Sequence, residues 1–102
     1  MNIITKVLAT DAFQIWLENL KDMKAVGVIK ARIERIKKGN IGDWKRVEGV
    51  KNIFEVRIDV SKGYRLYYTK RENTIIILLC GGVKDTQNKN IKEAEHILKY
   101  LE

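Results

Sequence analysis

Between Phe54 and Asp85, cations recur at a spacing that suits phosphate chemistry: Arg57, Arg65 and Lys84 thread or follow three strand-forming runs, FEVRIDV, YRLYYTK and TIIILLC. The loop containing Ser61, Lys62 and Gly63 makes a hairpin of the first two runs. Pairing them puts Phe54, Val56 and Ile58 on the core face with Tyr64, Leu66 and Tyr68, and Arg57 and Arg65 emerge together on the other side. A one-residue slip would bury an arginine and expose an aliphatic, which fixes this register. Two guanidinium groups facing each other repel unless an anion sits between them. That anion is either a carboxylate of Glu55 or Asp59, or a phosphate, two of whose oxygens the planar fork of Arg65 could hold at once.

Further candidates flank this pair. Gly81 and Gly82 are expected to break the last strand, either as a plain turn or to let a substrate approach the backbone with Lys84 over it. Lys45, Arg46 and Lys51 are either RNA-binding cations or solvated surface charges. Tyr67 is the tyrosine that falls on the arginine face and is a candidate for stacking or hydrogen bonding; Tyr64 and Tyr68 read as packing. Trp16 reads as core, whereas Trp44, between Asp43 and Lys45, is ambiguous and could anchor a partner. His96 lies among Glu93, Glu95 and Lys99 on an ordinary charged helix, and Cys80 reads as a small core residue. The glycines have neither phosphate-loop nor dinucleotide spacing.

The chain of 102 residues has a net charge of +7, unevenly placed: residues 30–92 hold sixteen basic and seven acidic side chains, so the flanks are net negative. A cationic middle favours polyanions, chiefly nucleic acid or an acidic protein. One cysteine and one histidine exclude an intramolecular disulfide and make zinc improbable. No metal or small-molecule cofactor is implied. No apolar run reaches a membrane span and no leader pattern opens the chain, so a cytoplasmic location is expected.

The elements that must carry these residues follow from periodicity. Asn2 to Val7 reads as a first strand, and Thr10 caps a helix running to about Leu20, with Phe13, Trp16, Leu17 and Leu20 on one stripe. A second helix from about Ala25 to Lys38 carries Val26, Ile29, Ile33 and Ile36, and the two look like an antiparallel hairpin. Strands are expected at Trp44–Val47, Ile53–Asp59, Tyr64–Lys70 and Thr74–Cys80, the last central and covered on both faces. A final helix from about Asn88 to Leu101 carries Ile91, Ala94, Ile97, Leu98 and Leu101. The sum is one α+β domain over residues 1–102: a small sheet, antiparallel or mixed at its edge, with two helices before it and one after.

In order and spacing, FQIWLENLKD, ARIERIKKGNIGDWKRVEGV, FEVRIDVSKGYRLYY and IIILLCGGVKDTQNKNIKEA resemble the phage-derived killer-protein branch of the RelE/HigB toxin superfamily. The resemblance runs from Phe13 to Ala94. It implies a RelE-like fold and a type II toxin, held by a helix-turn-helix, HigA-like antitoxin. Its activity would be metal-independent, ribosome-associated cleavage of messenger RNA by 2′-hydroxyl attack on the adjacent phosphate. Carried over by motif, the arginine of GYR is Arg65, stabilising charge on the phosphate. The basic residue after the glycine pair is Lys84, facing the leaving oxygen, and Arg57 and Lys45 orient the substrate. Glu55 could accept the 2′-hydroxyl proton. Where several superfamily members carry a tyrosine or histidine acid/base, this chain has Gln87 and Asn90. The alternative is a non-catalytic basic module that binds RNA, the ribosome or an antitoxin; a DNA reader is disfavoured, because no helix carries a basic, base-reading face.

Overall fold

The computed structural model describes residues 6–102. Strand β1 (Lys6–Ala9) is followed by helices α1 (Asp11–Glu18) and α2 (Met23–Lys37). Strands β2 (Trp44–Arg46), β3 (Phe54–Ile58), β4 (Tyr64–Arg71) and β5 (Ile75–Val83) come next, then a short 3₁₀ turn (Lys84–Thr86) and helix α3 (Gln87–Leu101). The strands form a five-stranded sheet in the order β1-β5-β4-β3-β2. It is antiparallel from β2 to β5, and β1 adds a parallel strand at the edge. The expected first strand at 2–7 overlaps β1 only at its end; residues 2–5 lie outside the described residues.

Both N-terminal helices begin on side-chain caps. The Phe13 N–H donates to Thr10 Oγ1 at 3.1 Å, and the Ala25 N–H donates to Asp22 Oδ1 at 3.1 Å. Asp22 therefore starts α2, because its short carboxylate satisfies an N–H that has no partner within the helix.

Period-2 alternation sorts the side chains. Phe54, Val56, Ile58, Tyr64, Leu66 and Tyr68 join Phe13, Ala25, Ile29 and Ile36 in one core under α1 and α2. A second core on the opposite face gathers Ile53, Tyr67, Leu79, Cys80, Ala94 and Leu98 under α3. A bulge between Tyr67 and Tyr68 shifts the β4–β5 register, so the successive residues Leu79 and Cys80 both belong to the core beneath α3.

The glycine pair does not end the strand; β5 continues through Gly81 and Gly82 to Val83. A Cβ at Gly81 would enter the Trp16 indole, and one at Gly82 would enter the Asn90 side chain. The two glycines thus let α1 and α3 close onto opposite faces of one strand.

Candidate functional site

Lys45, Glu55, Tyr67 and Cys80 form one cross-strand row from β2 to β5, and Arg57, Arg65 and Gly82 form the next. The predicted pairing of Arg57 with Arg65 is present. Lys84 follows where β5 gives way to the 3₁₀ turn; its N–H donates to the Gly63 carbonyl at 3.1 Å, at the turn that leads into Tyr64 and Arg65. A Cβ on Gly63 would lie 3.4 Å from that of Lys84, so the lysine stem runs against the bare backbone of this turn.

Two carboxylates offset the like charges: Glu55, as read from the sequence, and Asp43 in place of Asp59. Arg57 Nη2 donates to Asp43 Oδ1 at 3.0 Å, and the Arg57 N–H donates to the Asp43 carbonyl at 2.8 Å. Asp43 raises the affinity of the guanidinium for its proton, first by this hydrogen bond and then by its charge. Asp59 contributes only a weaker field. The signal for Asp43 was available: extending the β2–β3 register by one residue sets it opposite Arg57.

Glu55 is buried between two cations. Its carboxylate oxygens lie 3.5 Å from Lys45 Nζ and 3.9 Å from Arg65 Nε. Arg65 is only 7% exposed, and its Nη1 donates to its own neighbour's carbonyl, Tyr64 O, at 3.3 Å. Its Nε has no hydrogen-bond partner. A buried donor left unpaired is costly, and the Arg57 Nε shares this state.

The remaining candidates separate. Arg46 sits on the other face of the sheet, 5.5 Å above the Phe54 ring, because adjacent residues on a strand point to opposite sides. Lys51 is exposed in the β2–β3 connection. Tyr67 is fully buried, and its hydroxyl has no hydrogen-bond partner. Its ring packs in the core under α3, where burial pushes its proton affinity up, so it offers no face for a base to stack on. The sequence reading missed the cause: α3 covers the part of the arginine face that alternation alone assigns to solvent.

Gln87 opens α3 and lines a depression of about 230 Å³ together with Lys45, Glu55 and Ile91. Asn90 is turned inward instead, packed against Gly82 and accepting from Thr86 Oγ1 at 2.5 Å. The Cys80 thiol donates to the Asn90 carbonyl at 3.5 Å, and burial raises its pKa, which suppresses thiolate formation. His96 packs edge-on against Tyr100 on the outer side of α3.

Among the described residues, no cluster of three His, Cys, Asp or Glu side chains could hold a metal, and no helix is long and apolar enough to cross a membrane. The arrangement is a cationic surface with its charges partly buried and pre-oriented. Such a surface can bind a phosphodiester and stabilise added negative charge on it.

Comparison with known proteins agrees with this architecture. An uncharacterized protein of Haemophilus influenzae is 44% identical over 96 residues, spanning 94% of this chain and 95% of that protein. A mutant of the Escherichia coli toxin RelE, solved in the free state, superposes with a TM-score of 0.63 over 93% of this chain and 95% of that one. At 14% identity this likeness concerns the fold. The model of the family described as Phage derived protein Gp49-like (DUF891) matches residues 15–102, and with that match over nearly the whole chain the protein belongs to this family, in a RelE-like α+β fold.

Proposed function

We propose that this protein is the toxin of a type II toxin-antitoxin pair and cleaves messenger RNA at the ribosome without a metal. The observation that carries the proposal is the adjacent placement of two cross-strand rows, Lys45–Glu55 and Arg57–Arg65, with Lys84 at the turn beside them. The RelE-like fold and the sequence resemblance support the same reading.

In the proposed step the ribose 2′-oxygen bonds to the adjacent phosphorus and the bond from phosphorus to the 5′-oxygen breaks. The products are a 2′,3′-cyclic phosphate and a 5′-hydroxyl. Arg65 donates to the non-bridging oxygens as charge builds on them, and Arg57 fixes the phosphate from the neighbouring strand. The Lys84 ammonium gives the departing 5′-oxygen its proton. Lys45 holds the incoming backbone.

Glu55 has a different part from the proton acceptor its position first suggested. With one oxygen toward Lys45 and the other toward Arg65, it orients both cations from beneath. The 2′-hydroxyl proton then passes to solvent or to a group of the ribosomal RNA.

The deciding experiment is primer extension on transcripts after induction, and on messenger RNA with purified ribosomes. Discrete new 5′ ends that vanish in Arg65→Ala and Lys84→Ala are expected. Growth arrest with no new ends would replace cleavage by simple RNA or ribosome binding, and neither arrest nor cleavage would remove the toxin reading.

A further inference from the structure

The face opposite the arginines carries a second feature that RNA cleavage does not use. Between the α2–β2 connection and the ends of β4 and β5 lies a cleft of about 350 Å³, with Ile41, Trp44 and Ile76 among its walls and Lys70 at its side. No acidic side chain lines it. Trp44, on edge strand β2, remains 46% exposed although it meets Phe54 edge-on at 6.0 Å.

The charges around this cleft are arranged without counter-ions. Lys70 Nζ lies 5.4 Å from the centroid of the Trp44 ring and 4.9 Å from that of Phe54, and Arg46 covers Phe54 from 5.5 Å. Among the described residues, neither Lys70 nor Arg46 has a carboxylate within ion-pair distance. Two cations held over aromatic faces, beside a hollow walled in part by Ile41, Trp44 and Ile76, complement an acidic group adjoining an apolar one.

We infer that this cleft is a docking site for an acidic peptide segment of a partner protein, which inserts an aliphatic or aromatic side chain beside Trp44 and sets a carboxylate on Lys70. A nucleic-acid occupant fits less well. Phe54 is stacked on Tyr68 at 5.3 Å with Lys70 and Arg46 over it, and Lys70 lies over Trp44, so the aromatic faces are already engaged. Asn40, Asn73 and Lys70 set polar groups beside Ile41, Trp44 and Ile76, which suits an occupant that pairs an apolar side chain with a carboxylate. The cleft and the arginine rows lie on opposite faces of the sheet, so this inference stands independently of ribonuclease activity.

The test is a titration of isotope-labelled protein, followed by the indole N–H resonance of Trp44, assigned through Trp44→Phe. The probes are a soluble peptide with a Leu-Leu core flanked by glutamates, the same peptide with lysines for glutamates, and oligouridylate. The acidic peptide is expected to move the Trp44 indole together with the Gly42 and Asn73 amides. Lys70→Glu should weaken that binding about tenfold or more, and an Ala-Ala core should weaken it similarly. Absence of shifts at millimolar acidic peptide, equal response to the lysine peptide, or oligouridylate moving the same resonances would each overturn the inference. Transcript cleavage by Lys70→Glu, measured in parallel, should match wild type; loss of cleavage in a folded Lys70→Glu would show that the two faces serve one site and would also overturn it.

Discussion

Arg57 and Arg65 are direct partners across β3 and β4, yet each is balanced by a different carboxylate: Asp43 at 3.0 Å for the first and Glu55 at 3.9 Å for the second. The more exposed member has the tighter pair, while the Nε of each is buried without a hydrogen-bond partner. The buried arginine is therefore the one its carboxylate holds more loosely.

Arg65→Ala should abolish transcript cleavage, by about 10²-fold or more. It should also destabilise the fold by roughly 3 kcal/mol, because Glu55 remains buried with only Lys45 to offset it. Arg65→Lys keeps a charge without the planar fork and should recover stability more than activity. Thermal melts alongside primer extension separate the two effects.

Glu55→Gln tests the orienting role. A lost general base would cost about 10²–10⁴ in rate and remove a limb of the pH profile. An orienting carboxylate should instead give a smaller loss with an unchanged profile, accompanied by weaker RNA binding. Single-turnover rates between pH 5 and 9 distinguish these outcomes.

Gly81→Ala should cost roughly 1–3 kcal/mol, since the new methyl meets the Trp16 ring and the core must shift. Trp16→Leu in the same chain should recover part of that loss. Denaturant melts of the two single variants and the double variant give the coupling.

Asp22 predicts an acid limb of stability. Hydrogen bonds from the Ser61 side chain and the Ala25 N–H lower its pKa below the ordinary 3.8. The folded state therefore holds the carboxylate more tightly ionised than the unfolded state does. The resulting stability is present above the unfolded value and is lost as pH falls through the lowered one. Asp22→Asn, which still caps α2, should flatten the fall in melting temperature as pH drops below about 4.

The hairpin register and the two apolar helix stripes were legible in the sequence because strict alternation and three-to-four spacing leave little freedom. The burial of Glu55, Arg65 and Tyr67 was not, since alternation tells which residues share a face but not whether a helix covers it. Gly81 and Gly82 misled for a related reason: their cause lies in Trp16 and Asn90, one far upstream and one downstream. The placement of Arg46 away from Lys45 was implicit in the expected strand at Trp44–Val47, because the pleat turns neighbouring residues to opposite faces.

The parallel edge has a temporal meaning. Lys6 lies opposite Ile75, and the Thr10 hydroxyl donates to Leu79 O across 69 residues of sequence. Joining such distant segments carries a large loop-closure cost, which slows the joining of β1 to β5. During synthesis β1 and α1 must wait for a docking strand that lies 69 residues further on, measured from Thr10 to Leu79, and Lys84 emerges later still. The proposed phosphate-binding surface thus cannot be completed before that strand and Lys84 have emerged.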